Sequence, residues 1–209
     1  SIATLIVALM GPVFGTMTDT KGFKKPIFVI SIIIGAAGCI SMGFAKQWLI
    51  FLIIFVIARV GYSCSLIFYD SMLFDVTTTE RMDTVSSQGY AWGYIGSCIP
   101  FVICLVIVLG ADKIGITMDS AMMISFAVVA VWWIVMSLPV LKSYKQSHYV
   151  EKGKNAVADS FIRGGKTFSR MRDRKKVFFF VLAFFFYIDG VYTIIDMATA
   201  YGSALGLDS

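Results

Sequence analysis

The chain has 209 residues, 58% of them hydrophobic and only 15% charged, with a mean hydropathy of +0.81. This composition lies well outside that of soluble domains and excludes a water-facing surface of ordinary size. The formal net charge of +5 is carried by loops, so it speaks to membrane orientation and gives no reason to expect a nucleic-acid partner.

Six apolar spans follow one another along the chain: residues 1–18, 26–45, 48–69, 84–109, 118–141 and 177–198. Each is close to the ~20 residues that a helix needs to cross a bilayer. They predict an all-α, polytopic membrane helical bundle, because a barrel would show alternating strands of about ten residues instead. The first two spans carry no charge, and between them residues 15–25, GTMTDTKGFKK, form a short polar turn. Gly15 and Gly22 allow a tight reversal there. The first span starts abruptly without an initiator Met and shows no signal peptide, so the chain reads as a piece of a longer protein.

The third span ends in a polar segment containing Asp70, Asp75, Glu80, Arg81 and Asp83. Its Thr and Asp residues suit capping of the next helix. The fourth span carries Gly89, Gly93 and Ser97 at four-residue spacing, a face that lets another helix approach closely, whether as a moving interface or as static packing. Gly11 and Gly15 form a similar pair. After the fifth span, residues 142–176 are strongly basic. Phe161, Phe168 and Met171 could there line a surface helix with Arg163, Arg170 and Arg174 outward, the alternative being a solvated linker held near anionic lipid. Three regions result: a partial N-terminal bundle of five helices (1–141), a basic cytoplasmic loop (142–176), and the first helix of a C-terminal bundle (177–209).

Fifteen of the eighteen Lys and Arg residues fall in the first, third and fifth loops. Only Lys46 and Lys113 occupy the others, and Arg59 lies inside a span. Basic loops stay in the cytoplasm, which predicts cytoplasmic odd-numbered loops in a multi-pass membrane protein. The cysteines Cys39, Cys64, Cys98 and Cys104 all fall within spans and read as small buried residues without a disulfide framework. The aromatic residues read by default as lipid-facing or interfacial, Trp132 and Trp133 carry no cofactor reading, and Tyr69, Tyr90 and Tyr94, near polar residues, are candidates to line a cavity. No residue cluster indicates a metal or a cofactor.

The turn G-x-x-x-D-x-x-G-x-K-K at residues 15–25 resembles the loop between the second and third helices of the major facilitator superfamily. Phe68-Tyr69-Asp70, the stretch from Ser86 to Gly96, and Tyr187-Ile188-Asp189-Gly190 resemble its branch of vacuolar effluxer-like, autophagy-related transporters, in the form found in bacteria. The resemblance implies a partial major-facilitator fold, with the six spans as helices two to seven of about twelve. It implies a cytoplasmic gate involving Gly15, Asp19, Gly22, Lys24, Lys25, Asp70 and Asp75. In that family the loop aspartate holds the gate by pairing with basic groups and a helix terminus of the second half. Here Asp19 would take that part, with basic partners from Lys24 or Lys25, since Thr20 and Phe23 stand where the family often has basic residues. No antiporter signature is present around residues 96–100.

Charges inside apolar spans are costly, about 2.5–3.5 kcal/mol each on insertion scales, and point to function. Arg59 and Asp189 fall at similar depths in their spans, where they could pair across two halves or bind the two ends of a zwitterion. Asp189, Tyr192, Thr193 and Asp196 share one helix face by their spacing and form a candidate substrate or proton site, with a structural pair as the alternative and a helix break hinted at by Gly190. The expected function is secondary transport of a small polar solute, amino acids included, by alternating access. The alternatives are a non-transporting sensor or scaffold on the same fold and, less well supported, an intramembrane enzyme. The partners implied are a small-molecule substrate, membrane lipid and the missing remainder of the chain.

Overall fold

The computed structural model describes residues 17–149 and 173–205, with residues 11, 14, 15, 162, 165, 166, 169 and 170. Among the described residues the helices with defined bounds are α1 (Lys24–Met42), α2 (Trp48–Val76), α3 (Met82–Leu109), the single turn α4 (Ala111–Ile114), α5 (Met118–Ser143) and α6 (Lys175–Ala204), and residues 11, 14, 15, 17, 18, 162, 165, 166, 169 and 170 are helical as well. All but α4 are long and apolar enough to cross a membrane. The chain divides into two compact units, Ser1–Phe161 and Ile162–Ser209, with α1–α5 in the first and α6 in the second. Of the expected first span, only residues 11, 14, 15, 17 and 18 are described, and the aromatic face of the basic segment at Phe161, Phe168 and Met171 lies outside the described residues.

In the first unit, α1 and α2 form an antiparallel hairpin whose backbones nearly touch. A Cβ added at Gly61 would lie 2.9 Å from the Gly35 nitrogen and 3.0 Å from the Ser31 carbonyl oxygen, and one at Gly38 would lie 2.8 Å from the Ala58 Cβ. In lipid, helix association relies on such close packing because the surrounding acyl chains are as apolar as the side chains. The contact is made by Ser31/Gly35 and Gly61/Ser65, two i, i+4 pairs. The stripe at Gly89 and Gly93 meets nothing within 4 Å.

Helix α5 also packs on α1. The Trp133 ring fills the space above Gly35 and meets the Tyr62 ring edge-on at 5.8 Å. It therefore packs between helices, a departure from the default for aromatics in a membrane span, since only a residue without a side chain leaves room for an indole there. A buried cluster of Phe28, Ile32, Phe68, Met72 and Tyr144 sits at the end of the bundle where α1 begins and where α2 and α5 finish.

Four expectations are corrected. The third span does not give way to a polar loop at residue 70; α2 continues to Val76, because Phe68 and Met72 extend its buried face. Next, α3 starts at Met82 after a 3-10 turn at Thr79–Arg81, with no side-chain cap. Helix α6 runs unbroken through Gly190, since a glycine removes no backbone hydrogen bond. Among the cysteines only Cys64 is buried, and Cys98 is exposed.

Candidate functional site at one end of the bundle

The first residue of α1 meets the last turn of α2. Lys24 Nζ donates to Asp75 Oδ2 at 2.7 Å and to the Ser71 carbonyl oxygen at 3.1 Å. The two side chains are 4% and 0% exposed. A buried charge survives only when paired and fully hydrogen-bonded, and Asp75 meets that condition. Tyr144, one residue past α5, donates its hydroxyl to Oδ2 at 2.5 Å, and the Ser147 and His148 backbone N–H groups donate to Oδ1 at 3.0 and 2.8 Å. Four donors thus saturate a carboxylate that acts purely as acceptor. The His148 imidazole lies 3.4 Å from Oδ1 but is 76% exposed. Burial, then the hydrogen bond to Asp75 and its charge, push the Tyr144 phenol well above its ordinary range, so it stays a neutral donor.

Next to this pair, Gln146 enters the turn at residues 18–22. Its Nε2 donates to the Thr18 and Thr20 carbonyl oxygens, both at 3.3 Å, and its Oε1 accepts from the Gly22 N–H at 2.9 Å. Gly22 has φ +77°, a left-handed turn that glycine adopts without strain. Lys21 places its ammonium 4.6 Å above the Tyr149 ring. The first loop, the end of α2 and the start of the basic segment are thereby gathered at one end, as alternation of the spans requires.

Among the expected gate residues the structure joins Lys24 to Asp75. Gly15 is helical, and Asp19, Lys25 and Asp70 are exposed. Lys24 is thus paired with Asp75 within the same unit. Arg59 is half-buried on α2, its guanidinium 5.8 Å from the Tyr62 ring. By the helical rise it lies roughly 24 Å from Asp75 along α2, so the clasp around Asp75 cannot share a ligand with it. Asp189, Tyr192 and Thr193 occupy exposed positions on α6 in the second unit; the side chain of Asp196 lies outside the description. Tyr69 stacks on Phe28 at 6.5 Å, while Tyr90 and Tyr94 are exposed. Sequence reasoning missed Tyr144 and Gln146. Their only signal was an aromatic and an amide interrupting a lysine-rich segment just past a span.

The sequence profile of the family described as "Vacuole effluxer Atg22 like" matches residues 1–78 and 74–205. The "Uncharacterized MFS-type transporter YxiO" of Bacillus subtilis (strain 168) is 40% identical over 213 residues, covering 100% of this chain and 50% of the relative. The chain thus spans about half the length of that curated relative. No solved structure matches.

Proposed function

The chain belongs to the vacuole effluxer Atg22 like family of major-facilitator-type membrane transporters, and from that premise we propose that it supplies one half-bundle and the opening of the next to a secondary transporter. Such a protein moves a small polar solute by alternating access between two helical halves; amino acids are the first class to test. The relation to transporters, not enzymes, removes the intramembrane-enzyme alternative.

The observation that carries the reading is the Lys24–Asp75 pair. It ties α1 to α2 at the end bearing the basic loops, where a gate belongs and where it is too distant from Arg59 to be part of a substrate site. The positive-inside bias supports placing this end in the cytoplasm of a bacterial cell. Arg59, and the face of Asp189, Tyr192 and Thr193, are the proposed contacts for solute or proton, since ionisable groups within spans mark transport pathways. The partners proposed are the solute, the surrounding lipid and the second half of the transporter.

Counterflow in liposomes with the complete protein tests this. Labelled amino acids, peptides and sugars are offered against the same unlabelled solute inside. The proposal expects uptake of one class above empty liposomes, lost on Arg59→Ala. A folded protein with no flux for any class, and a cellular role that survives loss of both Arg59 and Asp189, would establish the sensor instead.

A further inference from the structure

The start of the basic segment does more than leave the membrane. Residues 144–149 lie across the end of the hairpin and are fastened at five of their six positions: Tyr144, Ser147 and His148 to the Asp75 carboxylate, Gln146 to three backbone groups of the turn, and Tyr149 to Lys21. Three of the four donors that make a buried Asp75 tolerable come from this short segment. The fourth, Lys24, comes from the bundle.

That division has a consequence. When the segment lifts, Asp75 loses three partners at once and becomes open to water, which can replace all of them. The ion pair to Lys24 can persist as a hydrated contact. Two arrangements are thus each satisfied, one dry and clasped and one wet and open, while a half-lifted segment leaves buried groups unpaired. An element with two satisfied states and a poor intermediate behaves as a latch. The same segment continues in sequence toward α6, which belongs to the second unit.

We propose that residues 144–149 are a releasable strap over the Lys24–Asp75 pair, and that the strap must lift for this end of the bundle to open. Gln146 and Tyr144 are its positioning residues, acting through the turn at 18–22 and through Asp75. The proposal rests on the transporter reading for its purpose, and its test needs no substrate.

The experiment uses the complete protein in membranes, with the four native cysteines replaced. Thr20, 2% exposed beneath the strap, becomes the only reporter in Thr20→Cys, and its rate of maleimide labelling is measured. In a second protein Lys21→Cys and Tyr149→Cys are first bridged by a short reducible bifunctional thiol reagent and the bridge is verified by mass. This second protein also carries Thr20→Cys, and labelling at 20, read on its own peptide by mass so that thiols exposed at 21 and 149 are not counted, is then compared before and after reduction. The strap predicts at least a tenfold suppression when bridged, restored by reduction. It also predicts that Gln146→Ala raises labelling severalfold without any bridge, whereas Gln146→Asn raises it less. Equal labelling in bridged and reduced protein overturns the proposal, as does unchanged labelling in Gln146→Ala. If labelling behaves as predicted while counterflow finds no solute, the strap stands and the transporter reading fails.

Discussion

Lys24 and Asp75 stand 51 residues apart in sequence and 2.7 Å apart in space, with both side chains withdrawn from water. Their pairing closes the α1–α2 hairpin at the end opposite its five-residue connection. The pair is unequal, however. Lys24 also reaches the Ser71 carbonyl oxygen, whereas Asp75 organises a phenol and two backbone amides from residues 144–148.

That asymmetry sets the first prediction. Asp75→Ala strands an ammonium, a hydroxyl and two N–H groups, and destabilises by about 3–5 kcal/mol, the range for removing one partner of a buried pair. Lys24→Met leaves Asp75 with three donors and costs about 1–3 kcal/mol, the range for one lost charge-assisted bond. Thermal unfolding in detergent orders the variants; equal losses would show that the residues of the strap do not hold Asp75.

Backbone contact between α1 and α2 sets the second. At Gly61 a methyl group would meet the backbone of Gly35, which cannot rotate away, so Gly61→Ala costs about 1–3 kcal/mol as overpacking. Gly89→Ala, facing open space, is neutral or stabilises by up to about 1 kcal/mol through helix propensity. The same unfolding measurement checks both, and a harmless Gly61→Ala would contradict the hairpin packing.

How far the sequence reached can be judged from these residues. Hydropathy located α1, α3, α5 and α6 because a bilayer demands long apolar runs, and it stopped α2 early because Asp70 looks like a loop residue when its helical neighbours are ignored. The small residues that join helices, Ser31/Gly35 and Gly61, were not singled out in the sequence, whereas Gly89/Gly93, which was, meets nothing within 4 Å. Spacing shows that a helix could approach; only the packing of Trp133 and Tyr62 decides which does. Lys24 and Asp75 were both among the residues expected at a gate, but their being partners was not legible. Tyr144 and Gln146 were missed, since their roles depend on α5 delivering the chain to a carboxylate 69 residues earlier and to a turn more than 120 residues earlier.

Orientation gives the third prediction. Because Lys24, Asp75 and residues 144–149 share one end, while Gly43 meets Met123 at the other, single cysteines at Lys145 and at Lys46 or Lys113 face opposite sides. An impermeant thiol reagent added outside intact cells should label 46 and 113 and spare 145. Labelling at 145 would invert the protein.

The fourth prediction concerns α6. A carboxylate within a membrane span is a candidate proton carrier, and Asp189 lies in the middle of an unbroken helix. Asp189→Asn should abolish accumulation of solute against its gradient while leaving exchange down the gradient largely intact. Wild-type accumulation in this variant would assign Asp189 a structural part.

Alternating access through the clasped end is most directly tested by labelling both ends of the same protein. In Lys24→Met, with a reporter cysteine either at Thr20 or at Lys46, the rate at 20 should rise severalfold while the rate at 46 falls, because weakening one gate shifts the population toward the state in which the other is shut. A rise at both ends, or no change at either, would contradict the account.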